Sequence, residues 1–112
     1  MQKRSQWLLY GATGYTGTRI AEEAVARGLR PVLAGRRAPE LQALAQRLDL
    51  DWEVIALDDR AALEQRLRRY STVLHAAGPF IDTWEPMLRA CLASGTQYLD
   101  LTGEIPVYEA QA

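Results

Sequence analysis

The stretch that most constrains this chain is "WLLYGATGYTGTRIAEEAVARG", beginning at Trp7. An apolar run of strand length stops at Gly11, glycines recur at Gly14 and Gly17, and a pattern with helical spacing starts at once. A short strand, a turn nearly without side chains and a helix in immediate succession form the opening of a β-α-β unit. The strand pairing that follows such a crossover is parallel.

The rest of the chain repeats that alternation. Short apolar runs bounded by glycine or proline recur at "PVLAG", "WEVIAL", "TVLHAAG" and "QYLDL". None shows long polar alternation, which is how parallel strands covered on both faces read. Between them, Ile20, Ala21, Ala24 and Val25, then Leu41, Leu44, Ala45 and Leu48, then Leu63 and Leu67, then Met87, Leu88, Cys91 and Leu92 place one apolar stripe on each of four helices. Gly28 and Gly95 follow the first and fourth helices, where a left-handed residue is least costly for glycine. Pro39 and Pro86 are expected in first helical turns, and Asp58 or Asp59 can cap the third helix. The fold class is α/β: a doubly wound, Rossmann-like parallel sheet of five strands in the order 3-2-1-4-5.

At 112 residues the chain is one domain, small for a complete two-substrate enzyme. A formal charge of −1 gives no electrostatic case for nucleic acid or an anionic membrane surface. A single cysteine, Cys91, cannot form an internal disulfide, and no clustered His and Cys suggest a metal site. The start "MQKRSQWLLYGATG" lacks a signal-peptide core, and no run approaches the ~18 apolar residues that span a bilayer. The expected compartment is the cytoplasm.

In this setting the glycines suit a phosphate. A strand ending at Gly11 and a helix starting near Gly14 to Thr16 bring backbone N–H groups and the positive end of a helix dipole to one point. Gly11 permits the turn, Gly14 a close pyrophosphate and Gly17 the packing of helix on strand. The spacing is G-x-x-G-x-x-G, one residue longer at the front than G-x-G-x-x-G. The Gly-Lys-Ser/Thr of a nucleoside-triphosphatase loop is absent, since Lys3 is the only lysine; a ligand-free turn is the plainer alternative. The second strand ends "VLAGRR" with no acid to bind a ribose 2′-hydroxyl, but with Arg36 and Arg37, which can clamp a 2′-phosphate. NADP is therefore favoured over NAD, although two solvated charges ahead of a helix would look the same. Asp58 reads equally as an acceptor for the adenine amino group or as a cap. Ala76, Ala77 and Gly78 are small where the fourth strand passes the cofactor, and Pro79 stiffens the exit. The candidate cofactor site is thus Gly11, Ala12, Thr13, Gly14, Tyr15, Thr16 and Gly17, with Gly35, Arg36, Arg37, Asp58, Ala76, Ala77, Gly78 and Pro79. His75, the only histidine, reads as a core residue and not as an acid or base, Cys91 as core, and Trp7 and Trp52 as packing or rim residues. No catalytic residue or metal ligand is assigned.

"YGATGYTGTRIAEE", "LAGRRAPELQAL" and "AAGPFIDTWEPMLRACLASGTQYLDLTGE", in that order, resemble the N-terminal domain of saccharopine dehydrogenase-like oxidoreductases, including the trans-acting enoyl reductases of actinobacteria. The resemblance runs from Trp7 to Glu104, and its specific part is the Gly-Pro-Phe turn followed by Glu-Pro and "YLDLTGE". It implies a nicotinamide-dependent oxidoreductase, with NADP as cofactor, whose chain continues into a second α/β domain carrying much of the substrate site and the dimer contacts. It also implies Gly11, Gly14 and Gly17 as phosphate loop, Arg36 as 2′-phosphate contact, and Gly78 and Pro79 as cofactor-edge turn. Asp100, Thr102, Gly103 and Glu104 then fall near the nicotinamide end of the fifth strand. His75 departs from the pattern, because relatives often carry Asn or another small polar residue there.

The chain closes at Ala112 inside a helical pattern, "PVYEAQA", and residues 1–112 read as the NAD(P)-binding part of a longer two-domain enzyme, inactive alone. The functional expectation is the NADP-binding domain of an oxidoreductase acting on a small molecule. The alternatives are a non-catalytic NADP-sensing regulator of the same fold, and an interaction module that self-associates, as a homodimer, through an open fifth strand.

Overall fold

The computed structural model describes residues 6–58, 60–76 and 80–100. Five strands alternate with four helices: β1 (Trp7–Tyr10), α1 (Tyr15–Ala26), β2 (Val32–Gly35), α2 (Ala38–Leu48), β3 (Trp52–Val54), α3 (Arg60–Leu67), β4 (Thr72–His75), α4 (Phe80–Ser94) and β5 (Gln97–Asp100). The sheet is parallel throughout and runs β3-β2-β1-β4-β5, the order expected from the sequence.

Strand periodicity divides the core. Successive side chains of a strand point to opposite faces, so Leu8 and Tyr10 enter one layer with Val32, Ala34 and Val73, beneath Leu63 and Leu67 of α3 and Met87, Ala90 and Cys91 of α4. Leu9 and Leu33 enter the other, beneath Ala21 of α1 and Leu41, Leu44 and Ala45 of α2. Burial on both faces explains why these strands carry no polar alternation.

The helix ends follow the glycines. Gly28 and Gly95 have φ of 81° and 77°. After α1, Leu29 N–H donates to the Ala24 carbonyl (2.8 Å) and Gly28 N–H to that of Val25 (3.0 Å), the paired bonds of a Schellman ending. After α4, Thr96 N–H donates to the Cys91 carbonyl at 2.9 Å. α2 ends in the same way on Asp49, at φ 58°, with Leu50 N–H donating to the Ala45 carbonyl at 2.9 Å.

One expectation shifts. Pro39 does lie in the first turn of α2, but Pro86 lies inside α4, which begins at Phe80. Proline removes one backbone donor from a helix interior; the burial of Met87, Ala90 and Cys91 just beyond it outweighs that loss. α3 begins at Arg60, so Asp58 belongs to the preceding turn, and Asp59 lies outside the described residues. Trp7 is half-buried against the α1/α2 layer, and Trp52 sits at the rim of β3. Among the described residues no helix is long and apolar enough to cross a membrane.

Candidate dinucleotide site

The carboxyl ends of β1 and β2 lie side by side, and the chain leaves β1 through a turn held against its neighbour. Gly11 and Ala12 N–H groups both donate to the Ala34 carbonyl, at 2.9 and 3.2 Å, and Gly14 N–H donates to the Gly11 carbonyl at 3.2 Å. Gly11 has φ 85°, the left-handed conformation this reversal needs. Thr18 hydroxyl donates to the Ala12 carbonyl at 2.9 Å, tying the loop to α1.

The three glycines differ in what limits them. A Cβ on Gly17 would stand 2.1 Å from the Gly11 carbonyl oxygen and 2.9 Å from the Ala12 Cα, so α1 reaches the loop only because position 17 has no side chain. A Cβ on Gly14 would meet nothing nearer than the Gly11 oxygen at 3.5 Å, an ordinary contact. The fold does not require glycine there, and the space beside it is open. Gly14 is the N-cap of α1 and supplies no side-chain cap, and the first turn holds no acidic residue. The first-turn N–H groups of Tyr15, Thr16 and Gly17 have no acceptor within the helix. Open space, helix N–H groups and no competing carboxylate in the first turn suit an anionic group.

A cleft of about 310 Å³ opens above this loop, lined by Tyr10, Gly11, Thr13, Gly14, Gly35, Arg36, Arg37, Glu40 and Ala76. The volume is at the low end for ligand pockets, enough for part of a dinucleotide. Arg36 and Arg37 are both exposed at its β2 side. Arg37 pairs with Glu40 of the first turn of α2 (N–O 3.7 Å). Among the described residues Arg36 has no carboxylate partner. Tyr10 forms part of the floor, its hydroxyl donating to the Ile55 carbonyl at 3.2 Å. Burial raises its pKa above the ordinary 10.0, with the charge of Arg36 acting the other way.

Seven of the residues expected at the site from sequence therefore meet around one cleft: Gly11, Thr13, Gly14, Gly35, Arg36, Arg37 and Ala76. Ala12 and Gly17 are buried beneath the loop and shape it. Tyr15 and Thr16 face outward at the start of α1, where Arg19 lies over the Tyr15 ring at 5.6 Å. Asp58 is exposed and lines a separate hollow of about 270 Å³ with Leu57, Arg60, Leu63, Pro86 and Arg89. Ala77, Gly78 and Pro79, like Thr102, Gly103 and Glu104, lie outside the described residues. His75 is fully buried, its ring tilted against those of Tyr10 (5.6 Å) and Tyr98 (5.9 Å), which is the core position expected of it. Sequence reasoning missed Tyr10 and Glu40. Tyr10 adjoins Gly11, but a strand's last residue points to either face. Glu40 has the spacing of any helix-start acid.

Residues 7–112 match the family model described as the saccharopine dehydrogenase NADP binding domain. The trans-acting enoyl reductase of Mycobacterium ulcerans is 34% identical over 111 residues, covering 93% of this chain and 27% of that protein. The enzyme of the same description from Mycobacterium tuberculosis is 37% identical over 105 residues, covering 88% and 25%. Among solved structures, apo saccharopine dehydrogenase (L-Glu forming) from Saccharomyces cerevisiae superposes with a TM-score of 0.79 at 18% identity, covering 95% of this chain and 23% of that one. At that identity the structural likeness concerns the fold alone. The chain spans about a quarter of the length of these relatives.

Proposed function

The chain belongs to the saccharopine dehydrogenase NADP-binding domain family, and from that premise we propose that it holds NADP in the cleft above the glycine loop, as the N-terminal part of a longer two-domain oxidoreductase. The observation that carries this reading is the convergence of the open Gly14 step, the N-terminus of α1 and the unpaired guanidinium of Arg36 on one cleft. In the reading, the backbone N–H groups of Thr13, Tyr15 and Thr16 receive the pyrophosphate, Gly14 leaves it room to approach, and Gly35 lines the ribose side of the cleft. Arg36 binds the 2′-phosphate, with Arg37 beside it. Asp58 remains an acceptor for the adenine amino group only if that ring extends beyond the cleft, and Ala76 bounds the opposite side. The nicotinamide, when bound, would give a hydride in its reduced form or take one up in its oxidised form; this chain's residues would bind and orient it. A small-molecule substrate, the acid-base residue and homodimer contacts belong to the remainder of such an enzyme, in a cytoplasmic setting. Relatives described as trans-acting enoyl reductases make reduction of a carbon–carbon double bond the first activity to assay in the longer protein.

Calorimetric titration of the chain with NADPH, NADH and 2′-phospho-ADP tests the reading. Charge-assisted bonds contribute about 1.5 to 3 kcal/mol, so the 2′-phosphorylated ligands are expected to bind on the order of ten- to a hundredfold more tightly, a preference abolished by Arg36→Ala. Equal affinity for NADH and NADPH, or a preference that survives Arg36→Ala, would remove the 2′-phosphate assignment. Steady substrate turnover by the longer protein would separate an enzyme from a non-catalytic NADP-sensing regulator.

A further inference from the structure

The cleft that carries Arg36 also carries a carboxylate. Glu40 stands at the third position of α2, lines the cleft, and reaches Arg37 at 3.7 Å. The β2 end itself has no acid, so the only negative charge at this side of the cleft among its described lining residues comes from a residue five positions beyond Gly35 in the chain. Both partners are substantially exposed, at 74% and 50% of their side-chain surface, so the pair is adjustable and is not locked by packing. A first-turn acid also favours the helix dipole. That accounts for an acid at this position, but it requires neither the turn toward Arg37 nor a place in the cleft wall.

We infer that Glu40 sets the cofactor preference of this site by holding Arg37 in an internal ion pair and placing a carboxylate beside the 2′ position of the bound ribose. The inference rests on the proposed NADP site. With Glu40 present, Arg36 is the committed phosphate ligand. Arg37 is divided between Glu40 and the phosphate, because recruiting it strips Glu40 of its counter-charge and leaves two anions adjacent. A ribose bearing a free 2′-hydroxyl meets a different situation, since that hydroxyl can donate to the carboxylate, as it does to an acid at the end of the second strand in NAD-specific sites. The cleft thus contains a recognition element for each cofactor, and Glu40 compresses the discrimination that two free arginines would give.

The test is Glu40→Gln, which keeps length and hydrogen-bonding capacity and removes the charge. Dissociation constants for NADPH and NADH are measured on the parent chain and on the variant at the same ionic strength, with thermal unfolding as a check on folding. The NADPH-over-NADH ratio is expected to rise about two- to fivefold, the range for one exposed charge pair, and the gain to shrink as salt is added. An unchanged ratio, with only a small loss of thermal stability, makes Glu40 a helix-start acid and overturns the inference while leaving the NADP site intact. A fall in NADPH affinity makes Glu40 a support that orients Arg37 toward the phosphate and also overturns it. If the parent chain shows no preference for NADPH, the proposed site itself fails, and the inference with it.

Discussion

At the scale of single residues, the glycine loop separates two demands that one motif hides. Position 17 is constrained from within: any Cβ there drives into the Gly11 carbonyl, a backbone atom that cannot swing aside. Gly17→Ala is expected to destabilise the fold by more than about 3 kcal/mol, measured by urea unfolding, because helix and loop must part. Position 14 has no such constraint within the fold. Its φ of −73° and ψ of 173° suit any residue, so Gly14→Ala should change stability by no more than about 1 kcal/mol yet weaken dinucleotide binding, because the methyl group occupies the ligand's approach. Equal losses in both variants would contradict this division of labour. The spacing of the three glycines was plain in the sequence, and so were the turn at Gly11 and the packing of helix on strand at Gly17. The contribution of Glu40 was not, since an acid three residues after an arginine at a helix start is commonplace, and only the fold turns this one into a cleft wall.

At the scale of elements, punctuation by glycine made the ends of α1 and α4 legible, whereas the end of α2 was hidden because Asp49 does the same task. A non-glycine residue in the left-handed region carries a cost of about 1 to 2 kcal/mol, lessened for Asp by its short polar side chain. Asp49→Gly is therefore expected to stabilise the chain by about 0.5 to 1 kcal/mol, read as a raised urea midpoint with unchanged slope. The ion pair it removes, Arg30 with Asp49 at 3.7 Å, has a carboxylate partner that is 98% exposed and offers little against that gain. The start of α4 was misread for a related reason. Proline is a strong signal for a first helical turn, but a signal of position holds only where packing does not decide, and the apolar residues after Pro86 carry the helix across it. The strand order was legible because five runs of strand length separated by helices leave few topologies open.

At the scale of the whole molecule, the two layers of the core differ in chemistry as well as in content. Tyr10, Tyr70 and Cys91 all lie in the layer under α3 and α4, and burial raises the pKa of each; the Cys91 thiol moves from its ordinary 9.0 to about 12, and hydrogen bonding to Glu53 adds to the effect at Tyr70. These groups stay protonated in the folded chain while the unfolded chain ionises, so the unfolded state binds fewer protons above pH 9. Stability is then level below that pH and falls on the alkaline side, by up to about 1.4 kcal/mol per pH unit for each such group between its unfolded and folded values. Urea unfolding from pH 8 to 11 checks this, and Cys91→Ala should flatten the slope above pH 9 even though the cavity it leaves lowers stability overall. The layer under α1 and α2 contains none of these three groups, so its packing is indifferent to alkali. Central β1 lies between β2 and β4, with Leu8 opposite both Val32 and Val73, and the Tyr10 carbonyl at its end accepts from Ala76 N–H at 2.8 Å. The wall of the cleft is therefore unfinished until the chain has been synthesised past Ala76. A nascent chain that has made only its first glycine loop has the motif without the finished cleft.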